Sequence, residues 1–192
     1  MFLDIFKLVL DSDDRTVGGG SASALAGAMA AGMASMVAKL SAEKPVNFTV
    51  EQYEEIIREL EECKEALLKG SEQDNEAYLG IKNAYALPKE TDEEIEVRKQ
   101  AIRDAAYVAA CVPRDNGMRD KRVYELVCAL EGNSNPACTS DLLSAKYLSA
   151  SGVRGCVLNI EANLPLIKNE EREKELTQSM EELVQSVSFS WT

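Results

Sequence analysis

The sequence predicts an all-α fold, a multi-helix bundle around a buried central helix that is rich in alanine and glycine. Three observations predict this class: apolar residues recur at helical spacing, two capping boxes begin such segments, and no segment shows the alternation of a strand. The chain has 192 residues, of which 45% are hydrophobic, enough for one domain with its own core. We therefore expect a single domain over residues 1–192.

The first two expected helices flank a run of three glycines. An apolar stripe that includes Phe2, Phe6 and Leu10 predicts a short amphipathic helix over about 2–11. Ser21 is the expected N-cap of the next helix, which runs to about Ala42.

Capping boxes and helix-breaking residues set the remaining boundaries. Thr49 with Gln52, and Thr91 with Glu94, each form a capping box, and Pro113 precedes an Asn-Gly turn signal. The remaining expected helices span about 49–69, 71–87, 91–112, 123–130, 140–163 and 169–187.

The second helix is expected to be the central one. Residues 17–38 carry no charge and could cross a bilayer by length, but Ala, Gly and Ser dominate them, so transfer into lipid would gain little. Each glycine inside a helix costs about 1 kcal/mol relative to alanine, which close approach of neighbouring helices can offset. Met29, Met33 and Met36 are expected to fill the gaps between those helices.

Charge and composition exclude several function classes. Asp and Glu number 33 against 21 Lys and Arg, a net charge of −12, which opposes binding to nucleic acid or to an anionic membrane surface. Histidine is absent, so acid–base chemistry must rest on other groups. Five cysteines without a C-x-x-C motif indicate free thiols rather than a metal cluster or a disulfide framework. We therefore expect a cytoplasmic protein that binds no metal, nucleic acid or membrane.

One carboxylate shares a helical stripe with apolar side chains. Asp74, Tyr78, Ile81 and Tyr85 follow each other at steps of three and four residues. Burial raises the pKa of a carboxyl group, which suits general acid–base catalysis. The alternative is an aspartate that caps a helix or meets its dipole.

Two sets of residues offer polar groups that could bind a ligand. The turn Gly18–Ser21 offers backbone amides at a helix N-terminus, which suit an anion or a carbonyl oxygen, although a packing turn is the alternative. Asn133, Ser140 and Asp141 lie in or after the loop GNSNPACTS, and Asn159 and Asn163 share one helical face. These side chains could form hydrogen bonds to a polar heterocyclic ligand, or they could form hydrogen bonds to the backbone of the loop.

Five segments, in order along the chain, resemble the cyclodeaminase/cyclohydrolase family, which comprises formiminotetrahydrofolate cyclodeaminases and methenyltetrahydrofolate cyclohydrolases. The resemblance implies an all-helical homodimer that acts on a one-carbon unit bridging two nitrogens of tetrahydrofolate. It implies no cofactor, since the folate is the substrate. The segments are GGGSASALAGAMAAGMASMVAKL, DNEAYLGIKNAYALPKETDEE, VRKQAIRDAAYVAACVP, GNSNPACTSDLLSAKYL and NIEANL.

The resemblance also implies roles for single residues. Asp74 matches the family's candidate catalytic aspartate, and Val17 stands where the family usually has proline before its glycine turn. The candidate substrate-binding residues, from resemblance and residue pattern together, are Gly18, Gly19, Gly20, Ser21, Lys44, Tyr78, Asn133, Ser140, Asp141, Asn159 and Asn163.

An anionic folate tail would need a local basic patch on so acidic a chain. The candidates for this patch are Lys44, Arg114, Arg119, Lys121 and Arg122.

Four functions remain open from the sequence, one of which is an enzyme that acts on another cyclic amidine. In a cyclohydrolase, water adds to the methenyl carbon, and in a cyclodeaminase the formimino nitrogen leaves as ammonia while the ring closes. Both place a tetrahedral centre beside positive charge, where Asp74 could stabilise the cation and move a proton. The third possibility is a non-catalytic helical dimerisation module that keeps the scaffold.

Overall fold

The computed structural model describes the backbone of residues 2–187 and the side chains from Asp4 to Val187. This part of the chain contains no strand, so the predicted all-α class is confirmed. Six α-helices and one short 3-10 helix follow each other: α1 Phe2–Leu10, α2 Gly19–Ala42, α3 Val50–Tyr85, α4 Asp92–Leu130, the 3-10 helix Pro136–Cys138, α5 Thr139–Ile167 and α6 Glu170–Ser186.

Helix α2 occupies the centre of the bundle, as predicted. It packs against α3, α4 and α5, and Ala24, Ala31 and Ala38 along it are fully buried. α2 is long and apolar enough to cross a membrane, but 67% of its most apolar window is buried against the other helices.

The short helix α1 has the predicted span but not the predicted buried face. Ile5 is its buried side chain, whereas Phe6 and Leu10 of the expected stripe are exposed. The Phe2 side chain lies outside the described residues.

The expected break near residue 70 is wrong, because α3 runs without interruption through Gly70 and Ser71. A Cβ at Gly70 would lie 1.9 Å from Asn116 Oδ1 of α4, so this glycine permits close helix packing rather than ending a helix. Ser71 turns its hydroxyl to the Leu68 carbonyl instead of capping a new helix.

The expected break in α4 is also wrong, since Pro113, Asn116 and Gly117 are all buried inside one helix. Asn116 donates from Nδ2 to the Gly70 carbonyl at 3.2 Å. A Cβ at Gly117 would lie 2.9 Å from Leu183 Cδ1, so the Asn-Gly pair is a contact point between helices and not a turn. α5 likewise continues through Pro165 to its end.

The methionines of α2 do not fill gaps inside the bundle. Met29 is 47% and Met36 is 42% exposed, and Met33 is half-buried against the core. Because alanines supply most of the inward faces of α2, Met29 and Met36 lie on its outer face.

Candidate active site

The N-terminus of α2 meets a carboxylate from α3. Gly18 is the N-cap residue and gives no side-chain hydrogen bond, and Ser21, the predicted cap, lies inside the helix. The backbone N–H of Ser21 and its hydroxyl both face Asp74. The Asp74 carboxylate therefore takes the place of an N-cap side chain and meets the positive end of the helix dipole.

The missing side chain at Gly20 makes this contact possible. A Cβ at Gly20 would lie 2.1 Å from Asp74 Oδ1 and 2.6 Å from Oδ2, well inside van der Waals contact. The glycine run thus brings the backbone of α2 against the carboxylate.

Ser21 fixes the orientation of the carboxylate. Its Oγ lies 3.0 Å from Asp74 Oδ2 and 2.8 Å from the Ser71 carbonyl, so the hydroxyl proton is shared between two acceptors on α3. Burial raises the pKa of Asp74, and the hydrogen bonds from Ser21 oppose that rise because they favour the ionised form. A carboxyl group with a raised pKa is suited to move protons near neutral pH.

A cavity of about 130 Å³ opens beside Asp74. Four helices and the connection between α1 and α2 surround it. Its lining consists of Arg15, Thr16, Val17, Gly18 and Gly20 at the start of α2, Asp74, Tyr78 and Ile81 from α3, Ala109 from α4, and Asn159 and Asn163 from α5.

The two asparagines of α5 line this cavity. Asn159 donates from Nδ2 to the Gly155 carbonyl at 2.8 Å. Asn163 donates from Nδ2 to the Asn159 and Ala109 carbonyls at 2.9 and 3.2 Å. The Nδ2 groups are thus engaged with backbone, and the Oδ1 atoms can accept hydrogen bonds from a ligand.

Four of the predicted site residues lie elsewhere. α2 has 24 residues, about 36 Å at 1.5 Å per residue, and Lys44 follows its far end. The Asn135 N–H donates to Ser41 Oγ at 2.9 Å, so the loop with Asn133 also lies at that end. Ser140 and Asp141 begin α5 next to this loop, far along the helix from Asn159.

The Asn133 side chain bonds to backbone, which is the alternative to ligand binding stated above. Its Nδ2 donates to the Ala129 carbonyl at 2.9 Å, and its own carbonyl accepts from the Tyr53 hydroxyl. Within one chain, this loop does not line the cavity beside Asp74, and its role in substrate binding stays a prediction.

The basic candidates on α4 are engaged by acidic partners. Arg114 pairs with Glu175 at 2.7 Å, and Lys121 with Glu182 at 2.6 Å. Arg122 pairs with Glu59 and Glu125. None of these side chains lines the cavity beside Asp74.

Arg119, the other basic candidate on α4, lines a different opening. This groove of about 520 Å³ between α3 and α4 is larger than the cavity beside Asp74. Its lining includes neither the glycine turn nor Asp74, Asn159 and Asn163, so the smaller cavity is the better candidate for chemistry.

Arg15 is the basic residue of the site that sequence reasoning missed. It is exposed, lines the cavity beside Asp74, and forms no ion pair with any residue between 4 and 187. Its position three residues before the glycine run is the signal that could have identified it.

A second buried carboxyl group, that of Asp120, was also missed, because residues 113–122 were expected to form a loop. Asp120 is fully buried in α4, between Gly27 of α2 and Gly152 of α5. Its Oδ2 lies 3.7 Å from Cys156 Sγ, and its Oδ1 has no hydrogen-bond partner. Burial raises the pKa of Asp120 well above its ordinary value.

No three or more His, Cys, Asp or Glu side chains within residues 4–187 are grouped so that they could hold a metal ion.

Comparisons with known proteins extend these observations. A family model described as formiminotransferase-cyclodeaminase matches residues 3–182. Methenyltetrahydrofolate cyclohydrolase of Methylorubrum extorquens is 33% identical, with 91% of this chain and 86% of that protein covered.

Two further relatives carry the cyclodeaminase name. Formimidoyltransferase-cyclodeaminase of Gallus gallus is 31% identical over 95% of this chain, which spans only 34% of that protein. The crystal structure of formiminotetrahydrofolate cyclodeaminase from Thermotoga maritima superposes with a TM-score of 0.81 and 26% identity, covering 97% of this chain and 89% of that one.

Proposed function

Because the chain belongs to the formiminotransferase-cyclodeaminase family, we propose that it is a methenyltetrahydrofolate cyclohydrolase. The bacterial relative of that name matches along most of both chains. The observation that carries the proposal is the Asp74 carboxylate, held by Ser21 at the start of α2 and facing a cavity.

The chemistry follows from the charge of the substrate. The methenyl bridge is an amidinium-like cation, so its carbon is already electrophilic and a nearby carboxylate stabilises it. Asp74 takes a proton from water as the oxygen–carbon bond forms. One carbon–nitrogen bond of the adduct then breaks, the released nitrogen receives a proton from the carboxyl group, and the adduct hydroxyl loses its proton to solvent as the formyl C=O bond forms. Methenyltetrahydrofolate cation and water thus give formyltetrahydrofolate and one proton.

The cavity residues supply binding. The Oδ1 atoms of Asn159 and Asn163 accept hydrogen bonds from N–H groups of the pterin ring. Tyr78 is 44% exposed, which leaves its ring free to stack on the folate. Arg15 meets the carboxylates of the folate tail at the cavity edge.

The cyclodeaminase reaction is the second candidate, and the similarity to the Thermotoga structure favours it. In that reaction the second of the two folate nitrogens attacks the carbon of the protonated formimino group, and the formimino nitrogen leaves as ammonia. Asp74 would carry the proton from the attacking nitrogen to the leaving one. The same group at the same centre serves both reactions.

Parallel turnover assays test the proposal. Loss of methenyltetrahydrofolate is followed by absorbance with spontaneous hydrolysis subtracted, and ammonia release is followed with formiminotetrahydrofolate. The expected result is hydrolysis by the wild type and loss of at least about a thousandfold in kcat for Asp74→Asn, since the amide accepts no proton. Asp104→Asn, which changes a surface partner of Arg172, is the matched control.

Each result decides between the functions. Ammonia release without methenyl hydrolysis would assign the cyclodeaminase reaction instead. No turnover of either folate by the wild type would leave the non-catalytic helical module. The homodimer and the cytoplasmic location stay predictions, and sedimentation velocity tests the first of them.

A further inference from the structure

The connection between α1 and α2 forms one wall of the cavity beside Asp74. We call residues 11–17 of this connection the strap. Arg15, Thr16 and Val17 of the strap all line the cavity, although they belong to no helix. Successive side chains of an extended chain point to opposite sides. Three successive residues can therefore line one cavity only where the chain bends, and the backbone bends at Thr16.

Asp14 holds this bend. Its Oδ1 accepts hydrogen bonds from the Thr16 N–H and from the Thr16 hydroxyl, both at 2.6 Å. The Val17 N–H also faces the carboxylate. The Thr16 hydroxyl and then the backbone N–H groups lower the pKa of Asp14, because these bonds favour its ionised form. Three donors from two successive residues thus converge on one charged acceptor, which binds them more strongly than a neutral group would.

The shape of the strap depends on such local bonds. The N–H groups of Asp13 and Asp14 donate to Oδ1 and the carbonyl of Asp11 at 3.0 and 3.2 Å. Within the described part of the chain, every hydrogen bond of residues 11–17 is made inside the strap or to the end of α1. The bonds to Asp14 are the ones nearest the cavity, so they set how the strap enters the cavity wall.

Arg15 lies between the two residues that form this turn. We propose that Asp14 is a positioning residue of the folate site, which folds the strap so that Arg15 reaches the carboxylates of the substrate tail. Asp14 acts through its neighbours, since it is not part of the cavity lining itself. The role of Asp14 in binding rests on the proposed function, whereas its role in folding the strap does not.

Charge alone predicts the opposite effect of Asp14. The substrate tail is anionic, so a carboxylate next to Arg15 repels it, and removal of that carboxylate should lower KM. A positioning role predicts that removal raises KM, because a strap without its bend no longer directs Arg15 to the cavity edge. The sign of the change in KM therefore separates the two roles.

Steady-state kinetics with a polyglutamylated substrate measures this sign. Asp14→Ala removes both the charge and the acceptor, and it is expected to raise KM about three- to fivefold while kcat stays within about twofold. Asp14→Asn removes the same charge but keeps an oxygen that accepts from Thr16, so its KM is expected within about twofold of the wild type. Equal increases in KM for the two variants, or no increase for Asp14→Ala, would overturn the positioning role.

Asp13→Ala is the matched control for charge. Asp13 is exposed, and its carboxylate forms no hydrogen bond or ion pair with any residue between 4 and 187. Its removal changes the charge of the strap by the same amount as Asp14→Ala but leaves the bend intact. Its KM is therefore expected to stay level or to fall, and a rise equal to that of Asp14→Ala would assign the effect to charge.

A double variant tests whether Asp14 acts through Arg15. If it does, Asp14→Ala combined with Arg15→Gln has the KM of Arg15→Gln alone, because the contact that Asp14 supports is already lost. Independent roles would instead multiply the two increases in KM. A multiplied KM would overturn the link between Asp14 and Arg15.

Trypsin tests the folding of the strap without reference to turnover. Trypsin cleaves after Arg15, and mass spectrometry identifies the fragment that begins at Thr16. Cleavage of native Asp14→Ala is expected to be at least about fivefold faster than that of the wild type, because a segment without its hydrogen bonds opens more often. Asp14→Asn is expected to be cleaved at close to the wild-type rate. Equal rates for the two variants would show that the charge beside the cleaved bond, and not the turn, controls cleavage.

The two measurements keep the proposals apart. A wild type that turns over neither folate would overturn the proposed function and the role of Asp14 in binding together, whereas the trypsin rates would still decide whether Asp14 folds the strap. Turnover by the wild type with an unchanged KM in Asp14→Ala would support the proposed function and overturn the role of Asp14.

Discussion

At the scale of single residues, Asp74 and Ser21 form the part of the site on which the chemistry depends. Ser21 is buried, donates to the carboxylate and to the Ser71 carbonyl, and therefore fixes both the position of Asp74 and its tendency to ionise. Sequence reasoning identified both residues, Asp74 from its apolar stripe and Ser21 from the glycine turn.

Ser21→Ala is expected to lower kcat about tenfold, the effect of one lost hydrogen bond to a charged group. The hydrogen bond from the Ser21 hydroxyl lowers the pKa of Asp74, so its loss raises that pKa further, while the backbone N–H of residue 21 still donates to the carboxylate. The acid limb of the kcat/KM profile then shifts to higher pH. The control is Ser41→Ala, a buried serine at the far end of α2. An unchanged acid limb would contradict the assignment of that limb to Asp74.

Asp120→Asn is expected to change how stability depends on pH. The folded protein holds the Asp120 proton more tightly than the unfolded chain, because burial raises the pKa. Above the unfolded pKa near 3.9, wild-type stability therefore falls as pH rises, by up to about 1.4 kcal/mol per pH unit until the folded pKa is passed. The amide in the variant has no such proton to lose.

Urea unfolding of both proteins at pH 5 and pH 7 measures this effect. The variant should gain stability relative to the wild type between the two values, since all other titrating groups are shared. A difference that is the same at both pH values would show that Asp120 ionises alike in the folded and unfolded chains.

At the scale of helices, glycines at contacts matter more than glycines on the surface. Gly70→Ala places a Cβ 1.9 Å from Asn116 Oδ1, and that side chain is buried and bonded to the Gly70 carbonyl. We expect a loss of about 1–3 kcal/mol in the free energy of unfolding. Gly80→Ala in the same helix meets nothing within 4 Å and should gain up to about 1 kcal/mol from helix propensity. Chemical denaturation of the two variants gives the comparison, and equal effects would contradict it.

Local signals predicted helix starts better than helix ends. The capping boxes of Thr49 and Thr91 are both present, because a cap depends on residues within one turn. Gly70 and Pro113 look like helix ends when only a short stretch of sequence is considered. The contacts with neighbouring helices that allow each residue inside a helix are not visible in that stretch.

The uninterrupted helices also explain why the predicted site residues lie at two separate places within one chain. Merging the expected short segments into α3 and α4 lengthens the bundle, so the loop that contains Asn133 lies far from the glycine turn. Asp74, Asn159 and Asn163 lie beside the turn because each lies on a helix face that neighbours α2. Arg15 belongs to no periodic sequence pattern, and its place in the cavity lining is seen only in the folded structure.

At the scale of the whole molecule, an acidic chain must still attract an acidic substrate. With a net charge of −12, general attraction is absent, and binding of the folate tail depends on short-range contacts with cations such as Arg15. Added salt weakens such contacts between exposed groups.

We therefore expect salt to raise KM more for a polyglutamylated substrate than for the monoglutamate. Initial rates for both substrates at about 20 and 200 mM salt measure the effect, a range over which the Debye length falls about threefold. Arg15→Gln should reduce the difference between the substrates while kcat stays within about twofold. Equal salt dependence for the two substrates would remove electrostatic tail binding from the mechanism.

The carboxylate of Asp74 also anchors the first turn of the central helix, since Gly18 offers no side chain for that purpose. A relative without activity on folates would still need a hydrogen-bond acceptor at position 74, because the first turn of α2 depends on it. An aspartate at this position alone therefore indicates the helix start, and it indicates turnover only together with the cavity that it faces. Tyr78 and Asn163 line the cavity but cap no helix. Replacement of these residues is therefore the better indication that a relative has lost enzymatic activity.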